Sequence, residues 1–199
     1  RDESETTKSL TYTEVGLKVK DITGALIEMG IKKGDRLAIM APNSPEWLWA
    51  DFAILNAGGV TVTIYPTSSE HELTYIINDS GSKVVFVKDQ DILQRVVSCI
   101  EYLPTIERII SLDSTVTIEH PLVMSIDEVV KKGAIYLAQN RTTYEERWNS
   151  VQPWDWSTIV YTSGTTGQSK GAVHTHQSIM AAIYRDVYNT KISGYTFSE

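Results

Sequence analysis

Residues 157–175 read STIVYTSGTTGQSKGAVHT, and the middle of that stretch is a phosphate-binding composition. Glycines at 164, 167 and 171 allow positive φ angles and a close approach of backbone to ligand. Successive N–H groups can then turn inward as an anion-binding nest. The hydroxyls of Thr162, Ser163, Thr165 and Thr166 add hydrogen-bond donors, and Lys170 adds a mobile positive charge. On one side STIVY is β-branched and apolar, which predicts a buried strand. On the other AVHT also reads as extended, so the glycine-rich segment is expected to be a loop between two strands.

That context separates it from two commoner glycine loops. The spacing of Gly164, Gly167, Lys170 and Gly171 is not GxxxxGK[ST], and no helix pattern starts directly after the lysine. Nor is it GxGxxG. Ser163 does not sit in a GxSxG elbow, which argues against a hydrolase nucleophile. The competing structural reading is a polar hairpin turn, since Gly, Ser and Thr are ordinary turn residues.

Working outward, helical and extended patterns alternate along the front of the chain. Val15, Val19, Ile22, Leu26 and Met29 recur at helical spacing, with Thr11 or Thr13 as cap and Gly30 as stop. RLAIMA follows as a short strand. Ser44, Pro45 and Glu46 then open a helix over 45–56, with serine as cap, proline in the first turn and the carboxylate near the positive end of the dipole. Trp47 and Trp49 lie on it, and both core packing and the lining of a pocket fit them. VTVTIY forms the next strand, closed by Pro66. Ser69 with Glu72 makes a capping box for a helix through Leu73, Ile76 and Ile77, ended by SGS. Strand KVVFV, helix DILQRVVSCIEYL and strand RIISL complete the run. Short turns between alternating strands and helices imply parallel pairing and right-handed crossovers. The expected fold is α/β: a doubly wound, mostly parallel sheet with helices on both faces. Ligands of such sheets bind beyond the carboxyl ends of the strands, where the glycine loop lies on its own strand.

From 113 to 155 the pattern weakens. SIDEVVKKG reads as a short helix capped by Ser125 and TTYEERWNSV as another, stopped by Pro153. After the loop, Ile179, Ile183 and Val187 fall on one face of a helix expected to pack behind the site. The organisation expected is a mobile segment 1–8, an α/β core over 9–113, an irregular connection over 114–156, and the loop with its following helix over 157–190.

Composition sets outer limits. The 199 residues are 42% hydrophobic and 22% charged, ordinary for a globular protein. A net charge of -7 and a pI near 5.1 argue against a nucleic-acid surface. Cys99 is the single cysteine, so no internal disulfide forms, and VVSCI suits a small buried side chain. No stretch is long and apolar enough to span a bilayer, and no signal peptide is visible. The chain opens on Arg1, so the natural start is expected elsewhere.

The loop YTSGTTGQSKG resembles the phosphate-binding loop of the adenylate-forming (AMP-binding) superfamily, whose pattern is approximately YTSGTTGxPKG. That superfamily includes acyl-CoA synthetases, luciferases and the adenylation domains of peptide synthetases. Ser169 stands where the family usually has proline. The front half, with GDRLAIMAPNSPEW and YPTSSEHELTYIINDSGSKVVFV, is similar to the amino-terminal region of acyl-CoA synthetases, and YPTSS to their long-chain branch. The resemblance implies that Thr162, Ser163, Gly164, Thr165, Thr166, Gly167, Lys170 and Gly171 hold the phosphates of ATP. It further implies Mg²⁺ and coenzyme A as cofactors, and a fatty acid, long-chain in this branch, converted to acyl-adenylate and then to acyl-CoA.

The family's later segments are not found: no YGxTE, no ribose-binding aspartate motif, no carboxy-terminal domain with its lysine. The chain is therefore expected to be an amino-terminal piece of a larger adenylate-forming enzyme fold, inactive alone, from a cytoplasmic ligase with membrane contact left open. Its partners would be small molecules and not nucleic acid. Two other readings stay open, a non-catalytic nucleotide- or anion-binding module and an adenylation domain for another carboxylate. No catalytic or metal residue is assigned. His174 and His176 flank the loop without metal-ligand spacing, His71 and His120 read as structural, and Asp89 and Asp91 as helix-start carboxylates.

Overall fold

A computed structural model describes residues 9–116, 118–162 and 168–192. The expected mobile segment 1–8 and the loop residues Ser163, Gly164, Thr165, Thr166 and Gly167 lie outside the described residues.

Helix α1 (Tyr12–Glu28) starts at Thr11, whose side chain and that of Glu14 form a reciprocal capping box. Strand β1 (Arg36–Met40) leads to α2 (Pro45–Asn56), capped by Ser44, and then to β2 (Val60–Thr63). Helix α3 (Glu70–Ser80) opens on the Ser69/Glu72 box and ends at Gly81, whose φ of 62° suits a residue without Cβ. Strand β3 (Val84–Val87), helix α4 (Gln90–Ser98), strand β4 (Arg108–Ser111) and a three-residue strand β5 (Val123–Ser125) follow. Helices α5 (Ile126–Gln139) and α6 (Thr143–Asn149) carry the chain back to β6 (Trp156–Thr162), β7 (Lys170–Thr175) and α7 (His176–Ile192).

These strands form one sheet in the order β5-β4-β3-β1-β2-β6-β7. All neighbours are parallel except β7, which runs antiparallel to β6. Successive side chains alternate between faces, and two cores result. Ala38, Met40, Val85 and Val87 pack with Leu73, Ile77 and Val96 of α3 and α4. Leu37, Ile39, Val84 and Phe86 pack with Ile22, Leu26, Ala53 and Ile54 of α1 and α2 and with Val129 of α5. The chain leaves β1 toward one face through α2 and leaves β2 toward the other through α3. The doubly wound α/β expectation is met.

Four details differ from the sequence reading. The helix expected over DILQRVVSCIEYL stops at Ser98, and residues Ile100–Tyr102 tighten into a 3-10 turn. The stretch expected as an irregular connection contributes β5 to the sheet edge and a helix of 14 residues. Gly133, read as the end of that helix, lies inside it, where a Cβ would collide with the backbone carbonyl of Asp21. It is there for a close crossing of α5 with α1, where Gly24 faces Gly133 and Leu137. Finally, α7 forms as expected but does not bury the predicted face, since Ile183 and Val187 are 48% and 37% exposed.

Candidate functional site

Strand β6 delivers the glycine loop as the sequence implied. Ser157, Ile159 and Tyr161 are buried on the α3 side, while β2 pairs with β6 through Thr61 and Thr158, Val62 and Ile159, Thr63 and Val160. Thr158 donates its hydroxyl to the Thr61 carbonyl at 3.0 Å. The Thr61 hydroxyl in turn donates to Asp51 Oδ1 of α2 at 2.7 Å. Burial pushes the Asp51 carboxyl above the usual carboxylate range, and the Thr61 bond only partly offsets it. Helix α2, strand β2 and the loop-bearing strand β6 are thereby cross-linked.

Beyond Thr162 the chain returns as β7, with Thr162 opposite Lys170, Tyr161 opposite Gly171 and Val160 opposite Ala172. The two ends of the glycine-rich segment therefore stand side by side. Thr162 and Lys170 are both exposed, and Lys170 forms no salt bridge with any described residue. Gly171 has a packing reason to be glycine. A Cβ there would lie 2.8 Å from Ile159 Cγ2 and 3.1 Å from the Tyr161 ring. So of the eight residues predicted to bind phosphate, Thr162 and Lys170 meet at the loop's base and Gly171 presses on the strand beneath.

The base of the loop is held by residues the sequence reading did not select. Tyr75 of α3 donates its hydroxyl to the Ser169 carbonyl at 3.0 Å. Tyr161 donates to Asp79 Oδ2, also on α3, at 2.6 Å. The two tyrosine rings meet edge to face, 6.3 Å apart. Burial, and then the Asp79 carboxylate that accepts its hydrogen bond, push the Tyr161 phenol well above its ordinary value, so it stays a donor. The i, i+4 spacing of Tyr75 and Asp79 was visible in the sequence. Nothing local linked them to residues more than eighty positions away.

A cavity of about 360 Å³ opens at the carboxyl ends of β1, β2 and β6, between Ala41, Asn43, Trp47, Tyr65, Pro66 and Val160. It lies beyond the carboxyl ends of these strands, the end of the sheet at which open α/β folds take ligands. Trp47 thus lines the cavity while packing against the core. Val160 lies on the same strand face as Thr162. Nearby, Lys88 after β3 pairs with Glu46 at the start of α2 at 2.8 Å. Burial raises the Glu46 carboxyl, but the hydrogen bond from Lys88 and those from the Glu46 backbone and Ser44 outweigh it. The net shift is downward, and the pair stays ionised.

The histidines follow the structural reading in part. His120 Nδ1 accepts from the Leu122 amide at 3.3 Å, and His174 is an exposed β7 residue opposite Thr158. His176 Nε2 is buried with no hydrogen-bond partner among the described residues. Burial pushes its imidazole pKa down, opposed by Asp155, which lies near it. Asp89 caps α4 by accepting from the Ile92 amide, Asp91 falls in its first turn, and Cys99 is buried. Among the described residues no group of three His, Cys, Asp or Glu could hold a metal ion. None of their helices is long and apolar enough to cross a membrane.

A mostly parallel sheet with helices on both faces, a cavity at its strand ends and the antiparallel β6–β7 pair beside it define a doubly wound α/β class of fold. Within that class the chain belongs to the AMP-binding enzyme family, whose model matches residues 3–196. It is 29% identical over 184 residues to the peroxisomal long chain acyl-CoA synthetase 6 of Arabidopsis thaliana, covering 92% of this chain and 26% of that protein. It is 28% identical to the long-chain-fatty-acid–CoA ligase FadD15 of Mycobacterium tuberculosis, covering 87% of this chain and 28% of that protein. The chain thus spans about a quarter of the length of these relatives. Among solved structures, a putative long-chain-fatty-acid CoA ligase from Rhodopseudomonas palustris shares the fold with a TM-score of 0.73 at 15% identity. That likeness covers 92% of this chain and 42% of the other. The anthranilate CoA ligase AuaEII, solved with anthranoyl-AMP, gives a TM-score of 0.69 at 22% identity, over 85% of this chain and 30% of that one.

Proposed function

We propose that these residues supply the phosphate-binding part of an adenylate-forming acyl-CoA synthetase, one that activates a long-chain fatty acid with ATP as acyl-adenylate and passes the acyl group to coenzyme A. The observation that carries the proposal is the pairing of Thr162 with Lys170 at the carboxyl end of β6, beside the cavity at the strand ends. A hydroxyl donor and an exposed cation there suit a polyphosphate in charge and in donor chemistry. In this reading Thr162, Ser163, Gly164, Thr165, Thr166, Gly167, Lys170 and Gly171 form the cradle. Lys170 neutralises charge that builds on the departing pyrophosphate, an electrostatic contribution to catalysis. Mg²⁺ would share that charge when bound with ATP. The fatty-acid preference rests on the acyl-CoA ligase names of the relatives and on the YPTSS stretch. A cytoplasmic enzyme with small-molecule partners is the setting we infer.

The test is carboxylate-dependent exchange of label between pyrophosphate and ATP, with short and long acids. It is run in this chain and in a longer polypeptide supplying the regions of the relatives that it does not span. Exchange that needs a long-chain acid and falls on the order of a hundredfold in Lys170→Ala is expected. No exchange in the longer polypeptide with any acid would instead favour a non-catalytic nucleotide- or anion-binding module.

A further inference from the structure

Lys170 is the one cation of residues 161–171, and both of its neighbours are held by the same helix. On one side Tyr75 of α3 holds the Ser169 carbonyl at 3.0 Å. On the other, Gly171 lies against the ring of Tyr161, whose hydroxyl is held by Asp79 of α3 at 2.6 Å. The edge-to-face contact of Tyr75 with Tyr161 joins the two supports. Side chains alternate along β7, so Lys170 projects to the face opposite this support. A lysine side chain is long and loses much rotamer freedom when it is fixed. What the fold can preset at low cost is the backbone from which it springs.

We propose that Tyr75 and Asp79 are positioning residues: acting through Ser169 and Tyr161, they fix the backbone at Lys170 so that its ammonium group meets a bound polyphosphate from one preset direction. The proposal rests on the phosphate-binding reading of the loop. Serine at 169 has free φ and ψ, unlike a proline, and the tyrosine hydrogen bond supplies a restraint from outside. Neither Tyr75 nor Asp79 touches the ligand, and their effect is felt through Lys170 alone.

The experiment uses the chain itself, its Tyr75→Phe and Asp79→Ala variants, and Lys170→Ala alone and combined with each. Amide exchange is followed at residues 168–171 without ligand, and magnesium tripolyphosphate is then titrated. Tyr75→Phe keeps the ring and its contact with Tyr161, so the melting temperature should hold. Exchange at 168–171 is expected to rise, and tripolyphosphate affinity to fall, by about threefold to tenfold, the worth of one hydrogen bond. In the Lys170→Ala background that loss of affinity should vanish, which a merely structural role would not produce. Binding by the wild-type chain with affinity unchanged in both variants, or an equal loss with and without Lys170, would overturn the proposal. No binding by the wild-type chain would overturn the phosphate reading itself, and faster exchange in the variants would then mark the support as structural only.

Discussion

Gly171 and Lys170 are adjacent yet answer to different physics. Gly171 is tied to packing: a methyl group there meets Ile159 and the Tyr161 ring inside ordinary contact distance. Gly171→Ala should therefore destabilise the protein by about 1–3 kcal/mol, as overpacking does, and urea unfolding measures it. Lys170 is exposed and unpaired among the described residues, so Lys170→Ala should change stability by less than about 0.5 kcal/mol while weakening phosphate binding. His176 gives a pH dependence. Its imidazole is half-buried, with Nε2 shielded from solvent, and burial holds its pKa below the ordinary 6.5. As pH falls through that value the unfolded chain takes up a proton that the folded chain still refuses, so stability drops, until the folded pKa is passed. Above pH 6.5 neither state is protonated and the contribution is complete. Unfolding at pH 7.5 and 5.5 should show a loss in the wild type that shrinks in His176→Phe; an equal loss in both would refute it. The extended segments that become β6 and β7 were legible in the sequence, because a strand pattern is local. The separate reason for Gly171 was not, since it depends on the residue across the ladder.

Among the elements, helix starts were the most legible feature. Thr11 with Glu14 and Ser69 with Glu72 close as capping boxes, and Ser44 and Ser125 cap where expected. A cap is written within four residues and needs no knowledge of the rest of the fold. Helix ends were less legible, and α5 shows why. Its Gly133 looks like a terminator in sequence, yet it is the point at which α1 passes within backbone contact. Gly133→Ala should cost about 1–3 kcal/mol or more, because the obstructing atom is the Asp21 carbonyl and cannot swing aside. Gly16→Ala, in α1 with open space around it, should instead stabilise by about 0.5–1 kcal/mol. Thermal unfolding of the two variants would separate a packing glycine from a dispensable one. If both moved the same way, the α1–α5 crossing would not be as described. β5 escaped notice because three half-buried residues carry no periodicity. The support from α3 escaped for a different reason, that its partners are distant in the chain.

For the molecule as a whole, alternation of strands with capped helices was enough to predict a doubly wound sheet, because right-handed crossovers leave few other topologies. Two extended segments flanking one loop were read from the sequence, and their antiparallel pairing as β6 and β7 came from the structure. The exposed apolar face of α7, with Met180, Ile183, Tyr184 and Tyr188 in solvent, did not follow. Periodicity reports that a helix has an apolar face, not that anything covers it. We propose that the strand pair meeting at Thr162 and Lys170 binds the phosphates of ATP. The most direct test is titration of the chain with Mg·ATP, followed by calorimetry and by amide shifts at Thr162 and residues 168–171. Saturable binding with shifts at those positions, weakened at least about tenfold in Lys170→Ala, is predicted, the loss of one charge-assisted contact to phosphate. Binding that ignores the substitution, or leaves those amides unmoved, would contradict it.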